Sequence, residues 1–518
     1  SGAYVTGDTK GLLAARQGRS AATGAFSFSA FSANSVTKVS HFSMKTEDRH
    51  NNVADHFARN LYKPSEQKGD GQTPVLVTLP DEHHHDSNAN TAFLQVILPT
   101  PFEVDFVFTN HAANELPADA AHTEVVEASA GMRDKALTDL IQERRQRFNQ
   151  RFERTFQLKS KACVPSGSSV YKRSKAEAKY PACDADGKFT EHAEGLGKAA
   201  LSQMMGGLSY LHGTWFKATP PFYNNSVEQS SVVSFSATPC RAGFARGFLW
   251  DEGFHQMLIA RWEPAITRDA LLHWFALMQP DGWIPREHFI GGEARRHIEA
   301  RWWTQNPTHA NPPTLLLALE ALMDLGEAPD AFLRCLQPKV AVWLDWFRRT
   351  QKGHALYSFR WSGRVVTEGI SHTLSSGLDD YPRSNMTNTL RDRHVDMLSW
   401  VATMLRIMDR IEKALGQKPS PPSGYSAGWE ALVRHAEAIH WDKASGMYAD
   451  RGLQLYPGGR KEEGFVEHYG YVSLFPFLLG MAPKGSNQSE AVMRIMGDAA
   501  HLRSKAGLRS LSKTAPGG

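Results

Sequence analysis

ARGFLWDEGFHQMLIARWEPAITRDALLHWFALM, Ala245 to Met278, sets a short loop of aromatic and acidic residues ahead of two apolar-striped segments. The segments Gly253–Arg261 and Thr267–Met278 carry helical spacing, and a proline-bearing break separates them. The same unit recurs from Gly195 onward, with further helical candidates at Leu196–Leu211, Pro313–Asp324, Val340–Thr350, Arg393–Leu415, Trp429–His440, Tyr469–Leu479 and Glu490–Arg503. Loops rich in Gly, Pro, Trp and Asp join them. The pattern predicts a helical toroid with functional loops at one end, without a strict sequence repeat.

The N-terminal part has a different period. AFSFSAFSA (Ala25 to Ala33) and TAFLQVILPTPFEVDFVF (Thr91 to Phe108) alternate as strands do. MRDKALTDLIQERRQRFNQRFERTFQL, from Met132, reads as a long amphipathic helix with a basic outer face. A polar insertion, Lys161 to Glu194, follows. The fold class expected is therefore α+β and multidomain, in keeping with 518 residues.

Composition excludes several classes. Hydrophobic content is 41% and charged content 22%, ordinary for a globular protein. A net charge of +4 gives no reason to expect nucleic acid or an anionic membrane as partner. No run of about 18 apolar residues spans a membrane. The chain begins Ser1-Gly2 without Met, the start of a processed chain or a fragment. Four cysteines exclude a disulfide scaffold. Cys163 and Cys183 bracket a polar stretch, and either staple it or remain free thiols. Sequons stand at Asn224, Asn385 and Asn487. HHHD (His83 to Asp86) sits in a polar stretch and reads as a solvated loop; DADGKFTE (Asp184 to Glu191) lacks the full ligand spacing of a calcium loop. No metal or organic cofactor is expected.

Three loops carry the chemistry: the opening one, THANPPTLLL (Thr308 to Leu317) and SSGLDDYPR (Ser375 to Arg383). Each places carboxylates or amides beside aromatic rings and arginine. A sugar needs flat rings for its C–H face and planar groups for its hydroxyls, and acid chemistry on a glycosidic bond needs a carboxyl in such a pocket. In the first, Phe244, Arg246, Phe248, Trp250 and Asp251 are candidates, although Asp251 and Glu252 equally suit a helix N-terminus. PDGWIPREHF (Pro280 to Phe289) offers Trp283 as a ring and Arg286 as a fork of donors. HANPP offers His309 and Asn311, the latter also suited to capping. In SGLDDYPR, glycine before and Tyr-Pro after force an extended loop, and one of Asp379 and Asp380 can keep its proton near neutral pH. Tyr381 and Arg383 complete that group. Asp392 and Asp396, spaced i and i+4, share a helix face, as a second carboxylate patch or as a polar surface.

These residues, with RFERTFQL (Arg151 to Leu158), LGKAALSQMMGGLSYLHG (Leu196 to Gly213), EHYGYVSLFPFLL (Glu467 to Leu479) and GLRSLSKT (Gly507 to Thr514), resemble glycoside hydrolase family 63, the processing α-glucosidases. The resemblance implies an N-terminal β-sandwich, of which residues 1–130 are a part, a linker helix and insertion over 131–195, and a catalytic (α/α)6 barrel over 196–518. It implies an inverting hydrolase that removes the terminal α-1,2-linked glucose from Glc3Man9GlcNAc2 in the endoplasmic reticulum lumen. A glucosylated high-mannose glycan would be the partner, the protein a monomer, and a membrane anchor would lie upstream of this chain. Asp379 matches the family's general acid; Trp250, Asp251, Asn311 and Arg383 match positions around the glucose subsite. The family's FFPRGFLWD is GFARGFLWD here, and Asp392 stands where the family has Glu. After GLRSLSKT the family continues to a segment carrying the catalytic base, whereas this chain ends APGG. The expectation is an incomplete, apolar-seamed barrel that is inactive alone, with Glu467 only a fallback base. A glycan-binding pseudoenzyme and a small-sugar α-glucosidase or trehalase are the alternatives.

Overall fold

The computed structural model describes residues 12–20, 24–32, 34, 38–44, 58, 79, 91–111, 127, 129–163, 182–220, 225–295, 298–363, 365–367, 370–384, 390–420, 424–455, 458–504 and 506–515. The chain forms two compact units, Ser1–Phe156 and Gln157–Gly518. Together they mix helices and strands, as the α+β reading expects. His83 to Asp86, Asn224 and Asn385 lie outside the described residues; Asn487 is exposed.

The first unit is largely β. β1 (Leu12–Ser20) pairs antiparallel with β2 (Gly24–Phe31), which pairs on its other side with β5 (Asp105–His111); β3 (Lys38–Met44) pairs with β4 (Thr91–Ile97). Alternation decides the faces: Ser27, Ser29 and Phe31 are buried with Leu12 and Val107, while Phe28, Phe106 and Phe108 are exposed. Phe26 stacks on Phe108 at 5.4 Å and Phe28 on Phe106 at 5.8 Å, a diagonal cross-strand ladder. The alternating stretch Thr91 to Phe108 is two strands and not one, because Pro99 and Pro101 fall in its middle and cannot donate to a ladder. Helix α1 (Asp134–Phe156) is the basic helix expected, with Phe148, Phe152 and Phe156 packed at successive turns.

The second unit opens with the Cys163–Cys183 disulfide, which decides between the two readings of those residues; Cys240 and Cys335 are free. α2 (Glu191–Gly206) is capped by Thr190, whose Oγ1 accepts from the Ala193 N–H at 3.2 Å. The helical segment expected to reach Leu211 stops at Gly206. A Cβ on Gly207 would lie 2.9 Å from the Thr238 carbonyl, and the chain turns there into β6 (Leu208–Thr219), which forms a long hairpin with β7 (Asn225–Ala237). β8 (Thr304–Gln305) joins β6 in parallel.

Besides the single-turn helix Gly291–Ala294, eight further α-helices follow among the described residues: α3 (Leu249–Trp262), α4 (Pro264–Ala276), α5 (Leu315–Asp324), α6 (Asp330–Thr350), α7 (Val395–Ala414), α8 (Gly424–His435), α9 (Tyr471–Leu478) and α10 (Asn487–Gly497). α8 runs on into a π-helical turn, Ala436–His440. α6 begins well before Val340 because Pro338 lies inside it and masks its first turns in the sequence. α10 stops at Gly497, and Arg503 belongs to a short strand. α7 is buried on nearly all sides from Val395 to Met408 and is the centre of this unit's apolar core. Among the described residues no helix is long and apolar enough to cross a membrane.

Hydrogen bonds reveal which helix ends meet. At one end the N-termini of α3, α5 and α7 meet the C-terminus of α6 and the segment leading into α9, through Trp250–Asn311, Gln351–Thr308, Trp361–His394 and Tyr381–His468. At the other end short links are tied by Arg268–Glu327, Gln337–Gln417 and Arg410–Asp324. The long connections 277–314, 351–394 and 441–470 therefore gather at one end, and three helix N-termini point their partial positive charge there.

Candidate active site

Asn311 joins all three chemical loops. Its Oδ1 accepts from the Trp250 N–H at 3.0 Å, an open donor of the first turn of α3, and its Nδ2 donates to the Ser375 carbonyl at 3.1 Å. Thr314 fastens the same junction, its hydroxyl donating to the Trp250 carbonyl at 2.6 Å. Ser375 in turn donates to the Ser362 carbonyl at 2.7 Å. The aspartate loop is a closed turn: a 3-10 segment Leu374–Ser376 ends at Gly377, whose φ is 75°. A Cβ at Gly377 would lie 2.5 to 2.9 Å from three atoms of the Trp250 indole, so only glycine fits against that ring. Asp379 and Asp380 follow immediately and are both exposed.

The approach from the α3 side is aromatic and charged. Phe244 is exposed and Phe248 half-buried, with ring centroids 5.9 Å apart. Arg246 is buried beneath them, its guanidinium 4.6 Å from the Phe248 centroid and 4.3 Å from that of Phe289, and its Nε and Nη2 donate to Glu287 at 2.9 and 2.8 Å. Burial pulls the pKa of Arg246 down and Glu287 opposes this. Arg286 holds the other Glu287 oxygen. Asp251 is half-buried in the first turn of α3, and desolvation raises its pKa against the pull of His255 and Arg286. His309 is kept neutral by burial, with Arg286 adding to the shift, at a pKa of about 4. Trp283 is buried, and its Nε1 donates to the His309 carbonyl at 3.0 Å.

A second group lies beneath the aspartate loop. Arg383 has a side chain with no exposed surface; its Nη1 donates to Asp396 at 3.1 Å and Asp450 at 2.8 Å, and its Nη2 donates to Asp396 at 2.6 Å. Burial lowers its pKa, and the two aspartates more than reverse this and hold it above its ordinary value. Asp396 also accepts from the Trp361 indole at 3.0 Å, Asp450 accepts from the Val395 N–H at 2.8 Å, and Asp392 accepts from Ser384 at 3.2 Å. Tyr381 is buried and donates to the His468 carbonyl at 2.5 Å; Glu467, just before it, is exposed. The loop is thereby joined to α7 and to the hairpin Arg451–Leu455 with Lys461–Phe465.

The structure thus brings Trp250, Asp251, Asn311 and the Asp379 loop together, and puts Phe244, Phe248, Arg286 and His309 in the surrounding loops. It puts Arg246, Trp283, Tyr381, Arg383, Asp392 and Asp396 in buried positions with partners of their own. Glu287 and Asp450 are not among the sequence candidates, and the glycine of SGLDDYPR, Gly377, is expected from the sequence only to extend the loop, whereas it is the site of close contact with Trp250. Glu287 stands next to the candidate Arg286 without a motif of its own, and a lone Asp in MYAD carries no local signal.

Glu252, by its place in the sequence a helix-end charge, is fully buried. Its carboxylate accepts from Ser236 at 2.5 Å, from the Ala237 N–H at 3.0 Å and from Gln256 at 2.7 Å, clamping α3 to β7. Desolvation pushes its pKa from 4.5 up to about 7. Between those two values the folded state keeps a proton that the unfolded state has lost, so stability falls as pH rises through that window. Glu252→Gln is expected to remove that one-proton slope. Denaturant titrations of both proteins at pH 4.5 and at 7.5 measure it, and an unchanged slope in the variant would contradict the assignment.

Among the described residues no cluster of three or more His, Cys, Asp and Glu is arranged to hold a metal. The Asp184 Oδ1 accepts instead from the backbone of Asp186 and Lys188 at 3.0 and 2.8 Å, as a turn requires.

A family model described as the glycosyl hydrolase family 63 C-terminal domain matches residues 132–517. Over 473 residues the chain is 29% identical to mannosyl-oligosaccharide glucosidase GCS1 of Arabidopsis thaliana, covering 83% of this chain and 52% of that protein. It is 34% identical over 323 residues to a probable mannosyl-oligosaccharide glucosidase of Schizosaccharomyces pombe, covering 54% and 39%, and 33% identical over 363 residues to alpha-glucosidase 2 of Arabidopsis thaliana, covering 62% and 46%. The chain spans about half the length of these relatives, or less.

Proposed function

The chain belongs to glycoside hydrolase family 63, and from that membership we propose that it carries the general acid of an inverting α-glucosidase that removes the terminal α-1,2-linked glucose from glucosylated high-mannose N-glycans. The observation that carries the reading is the junction at Asn311, where an aromatic loop, a helix N-terminus and an exposed pair of aspartates meet at one end of the helical unit. Asp379 is the general acid. Its carboxyl protonates the glycosidic oxygen as the bond to the anomeric carbon breaks, while water attacks the opposite face of the ring. In such enzymes the second carboxyl stands roughly 6.5–9.5 Å from the first, leaving room for that water. We assign no residue of this chain as the base. Phe244, Phe248, Asp251, Arg286, His309 and Asp380 form the glucose-facing set, Trp250 and Asn311 stand at the junction beside it, and the buried Arg246, Trp283, Tyr381, Arg383, Asp392 and Asp396 support it. The wider reading has 1–130 as part of an N-terminal β-sandwich, 131–195 as linker and insertion, 196–518 as part of an (α/α)6 barrel, and a monomer working in the endoplasmic reticulum lumen.

The test is glucose release by the full-length protein from the triglucosylated glycan, kojibiose and trehalose, with the anomer followed by NMR. β-Glucose from the first two and none from trehalose is expected. α-Glucose, preferential cleavage of trehalose, or glycan binding without turnover would each overturn the reading.

A further inference from the structure

Trp250 and Asn311 stand where a sugar ligand is expected, but their groups are already engaged. Asn311 is only 4% exposed, and both ends of its amide are spent on protein, one on the Trp250 N–H and one on the Ser375 carbonyl. The Trp250 indole has Gly377 against it and the edge of Phe254 at 5.2 Å and 79° on another side. The contacts at Gly377 and Ser375 land on the turn that presents Asp379. That turn is closed on itself by the Thr373 N–H donating to the Asp379 carbonyl at 3.3 Å, by the Ser376 hydroxyl donating to the Thr373 carbonyl at 2.8 Å, and by the Leu378 N–H donating to Ser376 Oγ at 3.2 Å. A small closed turn moves as one body. Its orientation is set by what it leans on, namely the Trp250 ring at Gly377 and the Asn311 amide at Ser375.

We propose that Trp250 and Asn311 are positioning residues for the general acid, a ring-and-amide clamp that fixes the 373–379 turn on the N-terminus of α3, and that they are not ligands of the glucose. This deepens the proposed function and rests on Asp379 being the acid. A misplacement of about 1 Å at a catalytic group is enough to cost about 10²-fold in rate. The clamp needs glycine at 377 for the same reason it needs tryptophan at 250, since the ring occupies the space a Cβ would take.

The consequence depends on the leaving group. A sugar alkoxide must be protonated as it leaves, whereas fluoride leaves without that help. Trp250→Leu and Gly377→Ala are therefore expected to lower kcat/KM on kojibiose about 10²-fold and on α-glucosyl fluoride less than about 10-fold. Loss of a glucose ligand would lower both equally, because both substrates place the same glucose in the site. Hydrogen exchange of the peptide 373–384 gives a readout independent of activity, and it is expected to speed up in both variants. Unchanged exchange overturns the clamp, and equal rate losses on the two substrates overturn the positioning role. Should the unmodified full-length protein cleave neither substrate, the glucosidase reading falls, while the exchange measurement still decides the clamp.

Discussion

Asp379→Asn in the full-length protein is expected to cut hydrolysis of a Glc-α1,2-Glc bond about 10²–10⁴-fold, the usual scale of a lost acid–base partner. Folding stability should stay within about 0.5 kcal/mol, as for other surface substitutions, because Asp379 is exposed at the end of a turn held by its neighbours. The asparagine keeps the shape and removes only the proton, so the defect lies in chemistry and not in binding. KM should change little while kcat falls. α-Glucosyl fluoride, which needs no proton for departure, should regain most of the lost rate. Asp380→Asn is the control. It lies next to Asp379 and is also exposed, so a similar collapse there with Asp379→Asn unaffected would transfer the acid role to the second aspartate.

The helices and the three loops were legible in the sequence because helices such as α6 and α7 carry strong 3.6-residue periodicity and because Gly, Pro and paired acids punctuate the loops. The β6–β7 hairpin was not. Leu208 and Leu211 extend the apolar spacing of Leu201 and Met204, and only the Gly206–Gly207 break, reinforced by contact with Thr238, ends the helix. Within the site, residue types were readable and their exposure was not. Trp283 and Trp250 look alike in sequence. One is a buried ring whose indole N–H is tied to His309, and the other is a half-buried ring against the acid loop. The carboxylates divide in the same way. Asp251, Asp379 and Asp380 keep access to solvent, whereas Glu252, Asp396 and Asp450 are buried because each has a donor set drawn from elements far apart in the chain. No local pattern encodes such partners.

Arg383 shows what that division means for stability. Its guanidinium makes a two-pronged pair with Asp396 and a third bond to Asp450, with none of its side chain exposed and Asp450 only 4% exposed. Arg383→Ala leaves two buried carboxylates without their counter-charge, and is expected to cost about 3–5 kcal/mol, the scale for breaking a buried pair from one side. Arg383→Lys should recover little, since a single ammonium cannot reproduce a fork that spans Asp396 and Asp450 together. Activity will fall in both variants, but through the acid loop. Tyr381 and Arg383 are the residues that join Asp379 to α7 and to the segment before α9, and loosening them frees the turn from below. Denaturant unfolding separates the two causes. If Arg383→Ala unfolds within about 1 kcal/mol of the parent yet loses activity, the guanidinium touches substrate and the buried-tie account is wrong. The triple replacement Arg383→Met, Asp396→Asn, Asp450→Asn tests the charge argument further. With no buried charge left to strand, it should be more stable than Arg383→Ala alone, since neutralising a whole buried cluster costs less than removing one member.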